Sequence, residues 1–325
     1  MADRFKTYIS STNLQKHPAV IAWSTVSKRL IAPEQIVVMK DKKKCSVYRI
    51  QNIGQSGSII AKRCLLGTGE IERFLYEEVL LHLPVSTTQY YGYLEDSKNN
   101  CFWLFLEDAG DGVYVHYTES HRLLATQWLS LLHTSAWQLP LLEALPDRGP
   151  KYFLNNLHSA VDKISNNIVN PTLSDEDRKT LKTIISQLKI AQLHWSEVEN
   201  FCSGMPQTLV HNDFIEKNIR VRNSDSGITL LPFDWEMAGY GVPAVDIAKV
   251  PDMHTYWLQA RQTWPSLTIQ DIWQMSTFGK LFRTIAAINW FSWVVSYPRE
   301  EWHMRVMVGY ATRINECLNE AGWEG

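Results

Sequence analysis

The chain has 325 residues, 45% of them hydrophobic and 20% charged, with a formal net charge of −2 at pH 7. That length fits one large domain or two smaller ones, and the apolar content suffices for a core. The near balance of charge excludes a strong electrostatic footprint for nucleic acid or an anionic membrane surface, and the most apolar late run, 285–295, is too short to span a bilayer. The opening Met1-Ala2-Asp3-Arg4-Phe5-Lys6 lacks the apolar run of a secretion signal. The five cysteines are odd in number, widely spaced and without a C-x-x-C, which fits a reducing cytoplasm and argues against disulfides or structural zinc.

The first third reads as β-rich. Residues 35–39 form a β-type run, 40–44 a charged turn, and 45–50 an alternating strand; after a turn at 55–57, residues 58–64 form a third strand. Together these predict an antiparallel meander. A helix follows from about 69 to 82 and stops before Pro84. The nearly continuous apolar strand 101–106 ends in Glu107-Asp108-Ala109-Gly110-Asp111-Gly112, glycines and acids that mark a hinge. Beyond it the chain turns helical. Leu124, Trp128, Leu131 and Leu132 fall at helical spacing within 121–137, and further helices are expected over 152–168 and 174–201. The reading is an α+β chain with a small β-rich part, 1–107, and a large mainly helical part, 108–325.

The segment from His211 to Asn218 carries the chemistry. It reads H-x-D-x-x-x-x-N, the spacing of a kinase catalytic loop, with Asp213 set to take or orient a hydroxyl proton and Asn218 set to hold magnesium on nucleotide phosphates. A β-rich run from Asn218, the turn cluster 223–227 and a second run 228–233 then return the chain to Asp234, a second oxygen ligand for the metal. Glu236 could be a metal contact, a substrate contact or a surface residue. Lys62 ends the strand Ile59-Ile60-Ala61 as in a V-A-I-K pattern, so it should reach the nucleotide phosphates. Its expected carboxylate partner is Glu78, placed within a stripe of Ile71, Phe74, Leu75 and Val79, with Glu77 as the alternative.

Leu209-Val210-His211-Asn212-Asp213, Phe233-Asp234-Trp235-Glu236 and Val245-Asp246-Ile247-Ala248 together resemble the aminoglycoside phosphotransferase and choline kinase group of small-molecule kinases. Leu104-Phe105-Leu106-Glu107-Asp108 is similar to the group's hinge, and Leu129-Ser130-Leu131-Leu132-His133 to its next helix. The resemblance implies a bilobal protein-kinase-like fold, ATP with GTP as a permitted alternative, Mg2+, and a small-molecule hydroxyl acceptor of aminoglycoside, amino alcohol or sugar type. It implies Asp213 as the catalytic group and Asn218 and Asp234 as metal ligands. Nucleotide contacts would come from Lys62, Glu78, Glu107, Ala109 and Phe233. His211 would hold the loop and Asp246 would buttress it. Asp234-Trp235-Glu236 stands where protein kinases show D-F-G, and no A-P-E follows. The departure is the turn 40–45, which has no glycine to cover phosphates; Lys42, Lys43 and Lys44 either replace glycine amides with point charges or form a solvated tip. That departure keeps open a pseudokinase, a nucleotide-binding module without turnover.

Overall fold

Alternating burial builds the first part of the chain into a six-stranded antiparallel sheet. Its strands are β1 (Thr7–Ile9), β2 (Gln35–Lys42), β3 (Cys45–Gln51), β4 (Ser58–Leu65), β5 (Tyr90–Asp96) and β6 (Cys101–Glu107), in the order β1-β2-β3-β4-β6-β5. The computed structural model describes residues 7–9, 13–42, 44–52, 57–67, 69–225 and 227–323. Met1–Lys6, Lys43 of the charged turn, Gln55 and Ser56 of the next turn, and Ser226 of the later turn cluster lie outside the described residues.

Side chains alternate across a strand. Ile36, Ile50, Ile59, Ala61, Trp103 and Phe105 therefore share one face, and Ala19, Val20 and Ala22 of α1 (Pro18–Ser27) pack onto it. Each fully buried isoleucine there contributes on the order of 2 kcal/mol. Lys62, one residue after Ala61, projects from the opposite face and is buried. Strand β6, between β4 and the edge strand β5, is buried along its length apart from Glu107, as a strand covered on both faces must be. Neither α1 nor β5 was expected from the sequence; β5 carries a register break at Tyr90/Gly92 that obscures its alternation.

By internal packing the chain forms two compact units, Met1–His116 with Ile215–Met237, and Tyr117–Phe214 with Ala238–Gly325. The hairpin β8 (Ile219–Ser224) and β9 (Gly227–Pro232) thus belongs with the sheet, whereas the sequence reading assigns it to the helical part; β7 (Thr208–Val210) precedes it in the second unit. Specific bonds explain this. The Val221 N–H donates to the Gly112 carbonyl at 3.0 Å, and Ser86 Oγ donates to the Leu230 carbonyl at 2.6 Å. A Cβ at Gly112 would lie 1.9 Å from the Val221 oxygen, so only glycine allows that approach.

The helix expected over 69–82 is not one regular helix. It starts as α2 (Glu70–Phe74), passes through a π turn over Leu75–Val79 and ends as a 3-10 turn over Leu80–His82. In the second unit α3 (Glu119–Ala136) and α4 (Pro150–Asn167) match the expected helices closely. The third expected helix breaks at His194 into α5 (Asp175–Leu193) and α6 (Trp195–Ser203). After β10 (Gly239–Gly241), which pairs with β7, come α7 (Ala244–Ile247), α8 (Met253–Ala260), α9 (Ile269–Phe291) and α10 (Glu301–Ala321). A capping box of Thr268 and Asp271 starts α9. At Gly279 it meets α7 so closely that a Cβ would sit 1.9 Å from the Ala244 carbonyl oxygen.

Candidate active site

In the first unit the sheet, α2 and the hairpin converge on Lys62. Its ammonium lies 2.6 Å from Glu72 Oε2, 2.5 Å from Asp234 Oδ1 and 3.8 Å from Glu236 Oε2. Glu72 is 1% exposed, and its other oxygen accepts from the Trp235 N–H at 3.4 Å. Burial alone would pull the Lys62 ammonium down, but Glu72 and Asp234 overcome it and hold the ammonium well above the ordinary lysine range. Burial likewise pushes the Glu72 carboxyl up against the pull of Lys62. Asp234 feels burial too, yet the charge and hydrogen bond of Lys62 keep it below its usual value.

The expectation for Glu78 is therefore corrected. Glu78 is exposed, Glu77 binds Arg73 at 2.8 Å and the Tyr90 hydroxyl, and the partner of Lys62 is Glu72. The true buried stripe is Glu72, Leu75, Tyr76, Val79 and Leu80, at helical spacing from Glu72. Choosing that stripe instead of one beginning at Ile71 would have found it.

The hairpin sets the metal candidates side by side. Ile219 pairs with Pro232, and the Phe233 N–H donates to the Asn218 carbonyl at 3.0 Å, so Asn218 and Asp234 flank the same end. Asp234 adopts φ +67°, a left-handed conformation that costs a non-glycine residue energy and turns its carboxylate back towards Lys62. Asn218, Asp234 and Glu236 supply oxygens of the kind a hard divalent cation takes. Among the described residues no group of three His, Cys, Asp or Glu is arranged to hold a metal.

The hinge is clamped by two arginines that sequence reasoning missed. Buried Arg49 on β3 binds Asp108 at 2.8 Å and Asp111 at 2.9 Å. Arg222 on β8 binds Glu107 at 2.7 Å and donates to the Asp108 carbonyl at 3.3 Å. Glu107 is also joined to Gln89 through its backbone N–H at 2.8 Å. Ala109 follows half-buried, and Phe233, half-buried, lies with its ring centroid 5.2 Å from the Arg220 guanidinium carbon. At the tip of β2 and β3, Lys42 faces Cys45 in register, and both Lys42 and Lys44 are exposed. Cys45 Sγ lies 3.4 Å from Cys64 Sγ across β3 and β4. The Cys64 thiol bond and, after the opposing effect of burial, the Lys62 charge bring Cys45 down to about 7.

The second unit holds His211, Asn212 and Asp213, the start of the H-x-D loop. Asp246, fully buried on α7, accepts the His211 N–H at 2.7 Å and the Asn212 N–H at 2.9 Å. Burial raises its carboxyl, but the bond and charge of His133 and the charge of His211 bring it below the ordinary range. His133 Nε2 lies 3.3 Å from Asp246 Oδ2, its Nδ1 2.8 Å from the Tyr256 hydroxyl, and its carbonyl accepts from Thr208 at 2.7 Å. The Asp213 N–H donates to His211 Nδ1 at 3.4 Å, and Phe214 stacks on Trp128 at 5.4 Å. A loop tied through its backbone to a buried carboxylate presents Asp213 from a fixed frame. The late tryptophans divide: Trp264 is buried, whereas Trp273, Trp290, Trp293 and Trp302 are exposed.

A model of the Phosphotransferase enzyme family matches residues 78–266. Among solved structures the chain is similar to a mutant aminoglycoside 2'-phosphotransferase IIIa in its GDP complex, at 13% identity and TM-score 0.63 over 93% of this chain and 97% of that one. It is also similar to a microcompartment-associated aminopropanol kinase, at 10% identity and TM-score 0.61 over 90% and 94%. The ethanolamine kinase of Plasmodium vivax gives 15% identity and TM-score 0.53 over 88% and 81%. The fold is that of the protein-kinase-like small-molecule kinases. No curated protein matches the chain. No helix among the described residues is long and apolar enough to cross a membrane.

Proposed function

Because the chain belongs to the phosphotransferase enzyme family, we propose that it transfers the γ-phosphoryl group of ATP, with magnesium, to a hydroxyl of a small molecule. Lys62 holds the α- and β-phosphates, oriented by Glu72. Asn218 and Asp234 hold the metal, which when bound neutralises charge on the phosphates. Glu107 and Ala109 meet the base along the hinge, with Phe233 alongside. Asp213 positions the acceptor hydroxyl and takes its proton as the oxygen–phosphorus bond forms and the bond to the β-phosphate oxygen breaks. The products are a phosphate monoester and ADP. Positioning matters more than proton removal in a largely dissociative transition state. A cytoplasmic location suits free thiols and a cytoplasmic nucleotide.

The observation that carries the reading is the buried Lys62 ammonium bound to both Glu72 and Asp234. A buried lysine held between one buried and one half-buried carboxylate is costly to maintain, and phosphate and metal binding account for it. The test is product mass after incubation with Mg2+ and γ-labelled ATP or GTP in separate arms. The acceptor pool contains aminoglycosides, amino alcohols, sugars and hydroxy acids. Label on a small-molecule hydroxyl is expected, with turnover reduced about 10²–10⁴-fold in Asp213→Asn. Label found only on protein side chains or only as free phosphate would refute it.

A further inference from the structure

The second unit contains a cavity of about 440 Å³ between α9, α10 and the residues that follow α7. Its charged lining consists of Lys249, Lys280, Arg283, Arg313, Glu316 and Glu320. Lys280 and Glu320 pair at 2.7 Å and cancel. Setting Lys249 aside, that leaves Arg283 and Arg313 against Glu316, an excess of positive charge that the overall balance of the chain conceals. Arg283 and Thr284 lie one turn after Lys280 on α9, so one helix face supplies the lining. Close packing at Gly279 brings the end of α7 beside that face.

The cavity is tied to the catalytic loop. Lys249 follows Asp246 by three residues, and the Lys249 N–H donates to the Asp246 carbonyl at 3.0 Å. Asp246 in turn accepts the His211 and Asn212 N–H groups. Arg283 is half-buried, and among the described residues no carboxylate lies within ion-pair distance of it. It lies within electrostatic reach of both Asp246 and Asp213. A guanidinium stays charged under all ordinary conditions and matches carboxylate and phosphate oxygens in a planar fork. A half-buried one opening into a cavity is suited to an anion.

Given the phosphotransfer reading above, we infer that the acceptor carries an anionic group, a carboxylate or a phosphate, held in this cavity by Arg283, Arg313 and Lys249 while its hydroxyl meets Asp213. The excess of cationic side chains disfavours polycationic acceptors there by like-charge repulsion. Arg283 stands between the two ends: it binds the anion and lies in the field of the acids that manage the hydroxyl.

The test uses the full chain with Mg2+ and ATP in four acceptor arms. These are carboxylates (glycerate), phosphates (glycerol 3-phosphate), cations (ethanolamine, kanamycin) and neutral sugars (glucose). ADP release and product mass are measured. Turnover is expected in the carboxylate or the phosphate arm, and the arm that responds identifies the source of the anion. Arg313→Ser and Lys249→Ser are exposed changes that should leave the melting temperature intact. Each should raise KM for the anionic acceptor roughly tenfold, with kcat and the ATP KM within about twofold. Turnover confined to the cationic or neutral arms would overturn the inference and leave phosphotransfer standing, as would anionic turnover indifferent to both substitutions. If no arm turns over, calorimetric titration with glycerol 3-phosphate and glycerate decides. Binding lost in Arg313→Ser supports the anion site and counts against the transfer reading alone; no binding to the wild type overturns the site.

Discussion

Replacing Glu72 by glutamine separates the two candidate partners of Lys62. Glu72 is 1% exposed, bonds Lys62 at 2.6 Å and accepts from the Trp235 N–H at 3.4 Å. Glutamine keeps the shape and one carbonyl acceptor but removes the charge. Lys62 retains Asp234 at 2.5 Å, so its ammonium is not left alone. The loss should therefore lie near that of a hydrogen bond to a charged group, about 1.5–3 kcal/mol, and short of the ~3–5 kcal/mol expected when a buried charge loses its only partner. Glu72→Ala, which also removes the acceptor for Trp235 and opens a void, should approach that upper range. Glu78 is exposed, so Glu78→Ala should stay within about 0.5 kcal/mol. Urea unfolding followed by tryptophan fluorescence gives the stabilities; for Glu72→Gln the midpoint should fall by on the order of 1 M. Titration with Mg·ATP on the same proteins should show weaker binding for Glu72→Gln and unchanged binding for Glu78→Ala. The reverse ranking, or two indistinguishable variants, would refute the assignment of Glu72.

Asp234→Ala should weaken Mg·ATP binding and nearly abolish transfer, and Asn218→Ala should do the same less severely because a neutral amide offers less charge; a magnesium titration unchanged in both would remove the metal site. Asp246 has a folded pKa below that of the unfolded chain. Its stabilisation is therefore complete above the ordinary aspartate value and lost as the pH falls through the folded one. Asp246→Asn should accordingly be less stable near neutrality and show a flatter acid limb in a thermal-melt series, and parallel curves for the two proteins would contradict this. Cys45, lowered to about 7, should react with iodoacetamide along a profile centred near pH 7 and faster at that pH than buried Cys202, raised to about 12; peptide mapping of the alkylated sites checks the order.

Much of this arrangement is legible in the residues. The loop, hairpin and acid from His211 to Asp234 announce themselves because turn residues separate two clean β-type runs, and Lys62 stands out as a charge closing an apolar strand. Glu72 was missed because the helical phase was set from Ile71. The segment also does not keep one phase, since a π turn over Leu75–Val79 shifts the rotation per residue. Arg49, Arg222 and His133 act through partners 59, 115 and 113 residues away along the chain (Arg49–Asp108, Arg222–Glu107, His133–Asp246). No local pattern encodes such pairs. The cationic cavity was invisible for a related reason: Lys280 and Arg283 alternate with apolar residues on α9, and only the packing of α10 gathers Arg313 beside them.

The first unit is written in two stretches, with the second unit begun in between. A gene divided after His116 would give an N-terminal product containing Lys62 and Glu72 but not Asp234, two buried charges whose third member is encoded about as far downstream as the length of that whole fragment. The downstream product would carry β8 and β9 without the Gly112 carbonyl and the Glu107 carboxylate that seat them. Neither product is a self-sufficient module. Recombination between chains of this layout therefore has no single crossover that exchanges the Lys62 unit without carrying residues 117–214 along. Related chains can acquire a new one alone only by double exchange or by point substitution, and the geometry of that unit should drift slowly.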